Sequence, residues 1–455
     1  MRASPADPVR HPLPWLVLAV MLAYLNAFSG SFQFDDYKVI VDNPAVHSWA
    51  AWFAGLGHGI RPLLKFSYTF DWMLGLGTTG FHLTNLLIHL ANAWLVFRLC
   101  ETFIEQQALR ERLRAVPLFA ALLFAAHPAH TEAVTYICGR STSLMTLFYL
   151  GGLLAYATGR TRRNNSGQER LMLYAVTPLL FVLALSVKET AVTFPLALLV
   201  WEVCLREPGS AWKAAFKAQW PSWAVLLAGV LFFLFNNSYL SQMERSAELN
   251  TLQGNLATQL AAFAWLMRQW ALPLWLNIDP DLPLLRDLSE SLLPLLFFGI
   301  ILTLTLACWR RRPWLGFALA WAILHLLPLY LFLPRLDIAN ERQLYLAGWP
   351  LFLALAAELA LRLDTRSFRI ACVALLLALG SLTLLRNQAY VDEIALWEDT
   401  ARKSPHKARV HNNLGYAYKL AGRTVDARRE FTLALQLDPK LVKARHNLEY
   451  LEEAP

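Results

Sequence analysis

Charge is scarce in this chain. Of its 455 residues only 16% are Asp, Glu, Lys or Arg, against 56% hydrophobic and 17 tryptophans, which excludes a soluble domain or a disordered segment and leaves a polytopic membrane protein. Cysteine is sparse too. The five, Cys100, Cys138, Cys204, Cys308 and Cys372, lie in or beside separate apolar runs without paired spacing, so neither a disulfide framework nor a zinc site is suggested. There is no concentrated basic tract. The formal charge of +8 is distributed by topology, which argues against a nucleic-acid partner. The first apolar run follows Arg2, Arg10 and His11, and no small-residue cleavage site comes after it, so it reads as a retained helix.

What is present is a succession of apolar runs long enough to cross a bilayer, near 13–30, 80–100, 115–137, 141–158, 171–187, 190–205, 220–237, 292–309, 314–333, 344–361 and 369–386. The fold class expected is all-α, a polytopic membrane helical bundle of about eleven spans. Basic clusters mark the cytoplasmic side: Arg110, Arg112 and Arg114; Arg160, Arg162 and Arg163; Arg206, Lys213 and Lys217; Arg310 to Arg312; Arg362, Arg366 and Arg369. With the N-terminus inside, parity makes 254–275, which carries Arg268, an interfacial or re-entrant segment and leaves the C-terminus outside. Asn236-Asn237-Ser238 is formally a glycosylation sequon on that outer side.

This topology gathers Asp35, Asp36, the stretch from His127 to Arg140, Lys188 with Glu189, and Glu341 with Arg342 at one extracytoplasmic face. Charges close to hydrocarbon are costly unless partnered, so their convergence marks a site. Asp35 and Asp36 are adjacent, and two neighbouring carboxylates push a pKa upward and call for a cation, a proton or a substrate. The plain alternative is that they cap the next helix. Likewise Lys188–Glu189 and Glu341–Arg342 fit either phosphate-binding cations or structural ion pairs. His127, His130 and Glu132 fall within about one helical turn if helical. A divalent cation there stays open, although two histidines without a third ligand weigh less than hydrogen bonding to the aspartate loop or to a phosphate. His82, Asn85, His89 and Asn92 recur at helical spacing, a polar seam facing other helices.

Beyond the last run the composition turns amphipathic. Leu414, Gly415, Tyr418, Ala427, Phe431, Ala434 and Pro439 occupy the spacing of a tetratricopeptide repeat, a 34-residue helix-turn-helix unit. Pro405 and Trp397 lie one period before Pro439 and Phe431, so 391–405 reads as the second helix of a preceding repeat, and 442–452 as a closing helix. A lone repeat cannot bury its faces, and this one is expected to pack on the membrane region or on a partner. Two domains follow, 1–387 in the membrane and 388–455 outside it.

Several ordered passages resemble a known family. They are Phe34-Asp35-Asp36-Tyr37 with Asn43-Pro44; Arg61-Pro62-Leu63; Gly80-Phe81-His82-Leu83-Thr84-Asn85 with His89; His127-Pro128-Ala129-His130-Thr131-Glu132-Ala133-Val134; Gly139-Arg140-Ser141; Lys188-Glu189-Thr190; and Glu341-Arg342-Gln343-Leu344-Tyr345. With the trailing repeat they look like the transmembrane, tetratricopeptide-repeat-containing O-mannosyltransferases, integral-membrane glycosyltransferases of the GT-C class, in a bacterial-type form whose tail holds about one and a half repeats. The resemblance implies a polyprenyl-phosphate-linked sugar as donor, a protein or peptide hydroxyl as acceptor, and work at the extracytoplasmic face among membrane lipids. It implies Asp35 or Asp36 as general base. Arg140, Lys188, Arg342 and Arg61 would serve the donor phosphate, with His127, His130, Glu132, Glu189, Glu341 and Tyr345 in support. The short tail and compact outer loops favour a bacterial inner membrane. A non-catalytic repeat scaffold for an envelope or secretion complex is the competing function.

Overall fold

A computed structural model describes residues 11–57, 60–161, 166–205, 212–235, 250–327 and 337–453. Arg162, Arg163, Arg206 and the Asn236-Asn237-Ser238 sequon lie outside the described residues. Every element among those described is helical. Four helices are long and apolar enough to cross a bilayer: Gly77–Glu105, Gly167–Val187, Leu288–Cys308 and Thr365–Tyr390. Shorter apolar helices, Pro12–Ala23, Val116–Ala126 and Pro313–Leu326, accompany them. The helices beginning at Pro12, Pro62, Val116, Pro313 and Trp349 each carry a proline in the first turn, where its missing N–H leaves no bond unmade.

Some expected spans are broken, for local reasons. The run at 115–137 is helical only to Ala126, because Pro128 forces His127 out of the helical region into extended backbone. The chain then runs through short turns, Pro128–His130, Thr131–Val134 and Ile137–Gly139, before entering helix Arg140–Thr161. The run at 13–30 likewise stops as a helix at Ala23. The segment at 254–275 is a helix, Leu252–Ala271, packed against Leu292–Cys308.

Helix Gly77–Glu105 is the centre of the bundle and contacts Pro12–Ala23, Val116–Ala126 and Arg140–Thr161. Its stripe of His82, Asn85, His89 and Asn92 is buried. Each side chain satisfies a neighbouring element: Asn85 Nδ2 donates to the Val134 carbonyl at 3.0 Å, Asn92 Nδ2 to the Ser143 carbonyl at 2.8 Å, and His89 pairs with the Tyr345 hydroxyl at 2.7 Å. Such bonds tie helices together where hydrophobic burial against lipid gives no preference.

The C-terminal segment forms four helices, Glu393–Lys403, Ala408–Leu420, Thr424–Leu437 and Val442–Glu453. The helix-turn-helix of the repeat is present: Gly422 turns the chain at φ +74°, and Gly415 lies against Phe431, whose ring a Cβ at that position would meet at 2.7 Å. These helices pack on the rest of the chain. Lys403 Nζ donates to the Leu276 carbonyl, the Ser404 hydroxyl to the Asp279 carbonyl, and Lys407 pairs with the Asp279 carboxylate at 2.7 Å.

Gly139 decides how closely the broken segment folds on itself, since a Cβ there would lie 1.9 Å from the Glu132 carbonyl oxygen. Gly139→Ala is expected to destabilise the protein by about 1–3 kcal/mol, in the range of overpacked interiors. Thermal unfolding in detergent checks this, and an unchanged midpoint would refute the close approach.

Candidate active site

The loop after the first helix separates the two adjacent aspartates. Phe34 holds a left-handed backbone, φ 46°, uncommon for a bulky residue, and Asp35 and Asp36 follow it in helical backbone, where consecutive side chains point in different directions. Asp36 is fully buried, its Oδ2 accepting from the Gln33 amide at 3.0 Å and its Oδ1 from the Cys138 amide at 2.8 Å. It rivets the loop to the turn at Ile137–Gly139. Burial pushes its carboxyl up to about 7, against the pull of the Cys138 thiol and of those two amide donors.

Asp35 donates its amide to the Tyr136 hydroxyl at 3.1 Å, and it lines a cavity of about 130 Å³. Among the described residues its carboxylate forms no hydrogen bond or ion pair. Partial burial raises it above the usual carboxylate range, while the Arg342 guanidinium works in the opposite direction.

Glu132 and Arg342 meet in this cavity. Glu132 accepts the Arg342 amide at 2.9 Å and stands 3.3 Å from its Nε. Arg342 also lines a second cavity, of about 30 Å³, with Lys188, Thr142 and His325. There Lys188 Nζ donates to the Thr142 hydroxyl at 2.8 Å. Arg342 thus borders both spaces, one holding an uncommitted carboxylate and the other a lysine.

The remaining residues singled out in the sequence take structural places. Arg140 is completely buried; it pairs with Asp71 at 2.5 Å, donates to Asn85 and to the Ser67 and Phe81 carbonyls, and stacks near the Tyr68 ring. Its donors are spent within the bundle, so it stands apart from the donor-phosphate group in which the sequence puts it. Arg61 forms a bidentate pair with Glu189, closest at 2.6 Å. Burial acts to raise Glu189, but the Arg61 guanidinium outweighs it and holds that carboxyl down to about 2. The histidines do not reach the aspartate loop. His127 Nε2 pairs with the Trp270 carbonyl and His130 Nδ1 with the Phe124 carbonyl, occupying backbone acceptors around the point where the helix stops. Tyr345 belongs to the seam of the central helix, and Glu341 is buried beside Arg386 at 3.7 Å. Among the described residues no three His, Cys, Asp or Glu side chains form a metal-ligand cluster.

The sequence reading missed several residues around the first cavity: Tyr136, Asn340, Asp337, Asp279, Trp397 and Arg409. Tyr136 and Asp337 stand four residues from Glu132 and Glu341, a proximity that offers a signal. Asp279 and the tail residues offer none, because only the folded chain brings them there.

A helical membrane bundle with a carboxylate and two cations beside adjoining cavities is the class that fold and site define. No protein-family model and no solved structure matches the chain. Its curated homologues are protein O-mannosyltransferases, the family whose resemblance the ordered motifs carry. The Drosophila melanogaster protein O-mannosyl-transferase Tmtc3 is 26% identical over 97% of this chain and 57% of its own length. A Caenorhabditis elegans protein O-mannosyl-transferase is 24% identical over 93% of this chain and 62% of its own. Human protein O-mannosyl-transferase TMTC3 is 27% identical over 42% of this chain and 22% of its own. The chain therefore spans about three-fifths of the length of the first two relatives.

Removing one partner of the buried Arg140–Asp71 pair leaves an uncompensated charge. Arg140→Leu is expected to cost about 3–5 kcal/mol, and the Arg140→Leu/Asp71→Leu pair much less. A double-mutant cycle on unfolding midpoints measures it, and additive losses would count against the buried clasp.

Proposed function

We propose that this chain is a membrane glycosyltransferase that moves a sugar from a polyprenyl-phosphate-linked donor onto the hydroxyl of a protein Ser or Thr. The observation that carries this reading is the carboxylate of Asp35, free of hydrogen bonds and ion pairs among the described residues, in a cavity next to Arg342. The names of the relatives support the reaction class. Asp35 is the general base: it takes the acceptor proton as the hydroxyl oxygen attacks the anomeric carbon and the bond from that carbon to the lipid phosphate breaks, inverting the centre in one displacement. Its raised pKa makes it a stronger base than an ordinary aspartate.

The departing phosphate needs fixed positive charge. Lys188 and Arg342, which share the second cavity, are suited to it, one as a compact cation and the other as a planar donor held by Glu132. Asp36 keeps the loop in place. In this reading the site and the C-terminal helices are extracytoplasmic, the N-terminus is cytoplasmic, 1–387 forms the catalytic membrane domain and 388–455 the repeat domain. The membrane is read as a bacterial inner membrane, as the compact outer loops favour.

The test is transfer from a panel of radiolabelled polyprenyl-phosphate sugars by protein in nanodiscs. Asp35→Asn is expected to lower the rate by about 10²–10⁴-fold, the usual size of a general-base contribution, with an unchanged unfolding midpoint. Full activity in that variant would end the mechanistic claim, and absence of transfer from every donor by folded wild-type protein would favour the scaffold. Because the base acts ionised, the wild-type rate should fall as pH drops through the Asp35 pKa, at a pH above that of an ordinary aspartate. Lys188→Ala should raise KM for the donor more than for the acceptor.

A further inference from the structure

The chain that joins helices Glu393–Lys403 and Ala408–Leu420 is fastened on two sides. Lys407 and Arg409 hold it to Asp279, at 2.7 and 2.6 Å, and Arg409 also reaches Asp337. His411 holds it to the repeat, with a side chain only 7% exposed. Its Nδ1 stands 2.8 Å from Oε2 of Glu430, on helix Thr424–Leu437, and its Nε2 stands 2.9 Å from the Pro405 carbonyl.

Both partners of the ring are acceptors. A carbonyl oxygen has no proton to give, and Glu430 is an ionised carboxylate whose other oxygen accepts Nε and Nη2 of Arg429 at 3.1 and 2.9 Å. Burial acts to raise Glu430, but His411 and Arg429 hold it below the usual glutamate value. A neutral imidazole has one N–H and cannot serve two acceptors, whereas the imidazolium has two. The hydrogen bond to Glu430 accordingly raises His411 above the ordinary histidine value against the effect of burial, and the Pro405 carbonyl adds to the rise. Charged groups on the neighbouring elements have partners of their own: Glu398 of helix Glu393–Lys403 accepts from the Tyr418 hydroxyl at 2.7 Å, and Asp426 pairs with Arg423 at 2.7 Å. From helix Val442–Glu453 it is the neutral Asn447 that reaches across, to Asn412 at 3.1 Å.

We propose that His411 is a proton-operated clasp of the tail: charged, it fastens the turn at Pro405 to the second helix of the repeat, and on losing its proton to solvent it must release one of its two acceptors. The same turn leads into Arg409, and the helix before it carries Trp397. Both line the Asp35 cavity, so the clasp bears on that wall of the site. Its stabilisation is complete below the ordinary histidine pKa and is lost as pH rises through the raised one. The clasp stands independently of the transferase reading.

The experiment is hydrogen exchange by mass spectrometry on the full chain in nanodiscs, corrected for the intrinsic pH dependence of exchange. The amides of Lys407, Val410 and His411, bonded within the turn, report on it. Between about pH 5.5 and about pH 8.5, on either side of a histidine titration, their protection should fall about tenfold, the scale of one hydrogen bond to a charged group, with no such change in helix Gly77–Glu105. His411→Gln should abolish the dependence, and Glu430→Gln should move its midpoint to lower pH. Equal protection at the two pH values, or the same fall in folded His411→Gln, would overturn the proposal. If His411→Gln does not fold, Glu430→Gln decides, and an unmoved midpoint overturns it.

Discussion

The ion pair between Glu132 and Arg342 joins segments 210 residues apart in sequence and forms part of the wall of the cavity that Asp35 lines. Glu132 is almost completely buried and Arg342 is partly exposed, so the pair is anchored at one end and available at the other. Because the Arg342 amide is bound as well as its side chain, the loop entering the short helix Gln343–Ala347 is fixed, and with it the border shared by the two cavities. A guanidinium so held needs no reorganisation to meet a developing negative charge, which is the condition for electrostatic catalysis.

The surrounding bundle follows the same rule, that charge in a low-dielectric interior is paired before it is used. Arg140 with Asp71 and Arg61 with Glu189 are closed pairs that fasten helix ends, and Asp36 spends both oxygens on backbone amides. Against that background Asp35 differs: among the described residues its carboxylate has no hydrogen bond or ion pair. The tail obeys the rule as well: Arg386 bridges Asp399 of the tail at 2.6 Å and Glu341 at 3.7 Å, so the helices that wall the cavity are tied to the residue next to Arg342.

Much of the fold was legible in the sequence, because apolar runs, positive clusters and repeat spacing are local signals. The polar stripe on the central helix and the helical hairpin around Gly415 and Phe431 could both be read from spacing alone. The site was legible in part. Asp35, Glu132, Lys188 and Arg342 stood in quotable motifs, and they line the two cavities. Arg140, Arg61, His127 and His130 carried equally strong motifs and were fastened elsewhere, since a motif states which donors exist and not which acceptors will claim them.

Sequence by itself determined that the chain is a helical membrane protein with a repeat-like tail, and which carboxylates and cations stand in ordered motifs. Those properties follow from hydrophobicity and periodicity, which act over a few residues at a time. Tertiary structure alone decided which aspartate has no hydrogen bond or ion pair among the described residues, which cations are spent on structure, and that Trp397 and Arg409 of the tail border the same cavity as Asp35. The physical reason is that desolvation and pairing depend on distances between residues hundreds of positions apart, which no local pattern encodes.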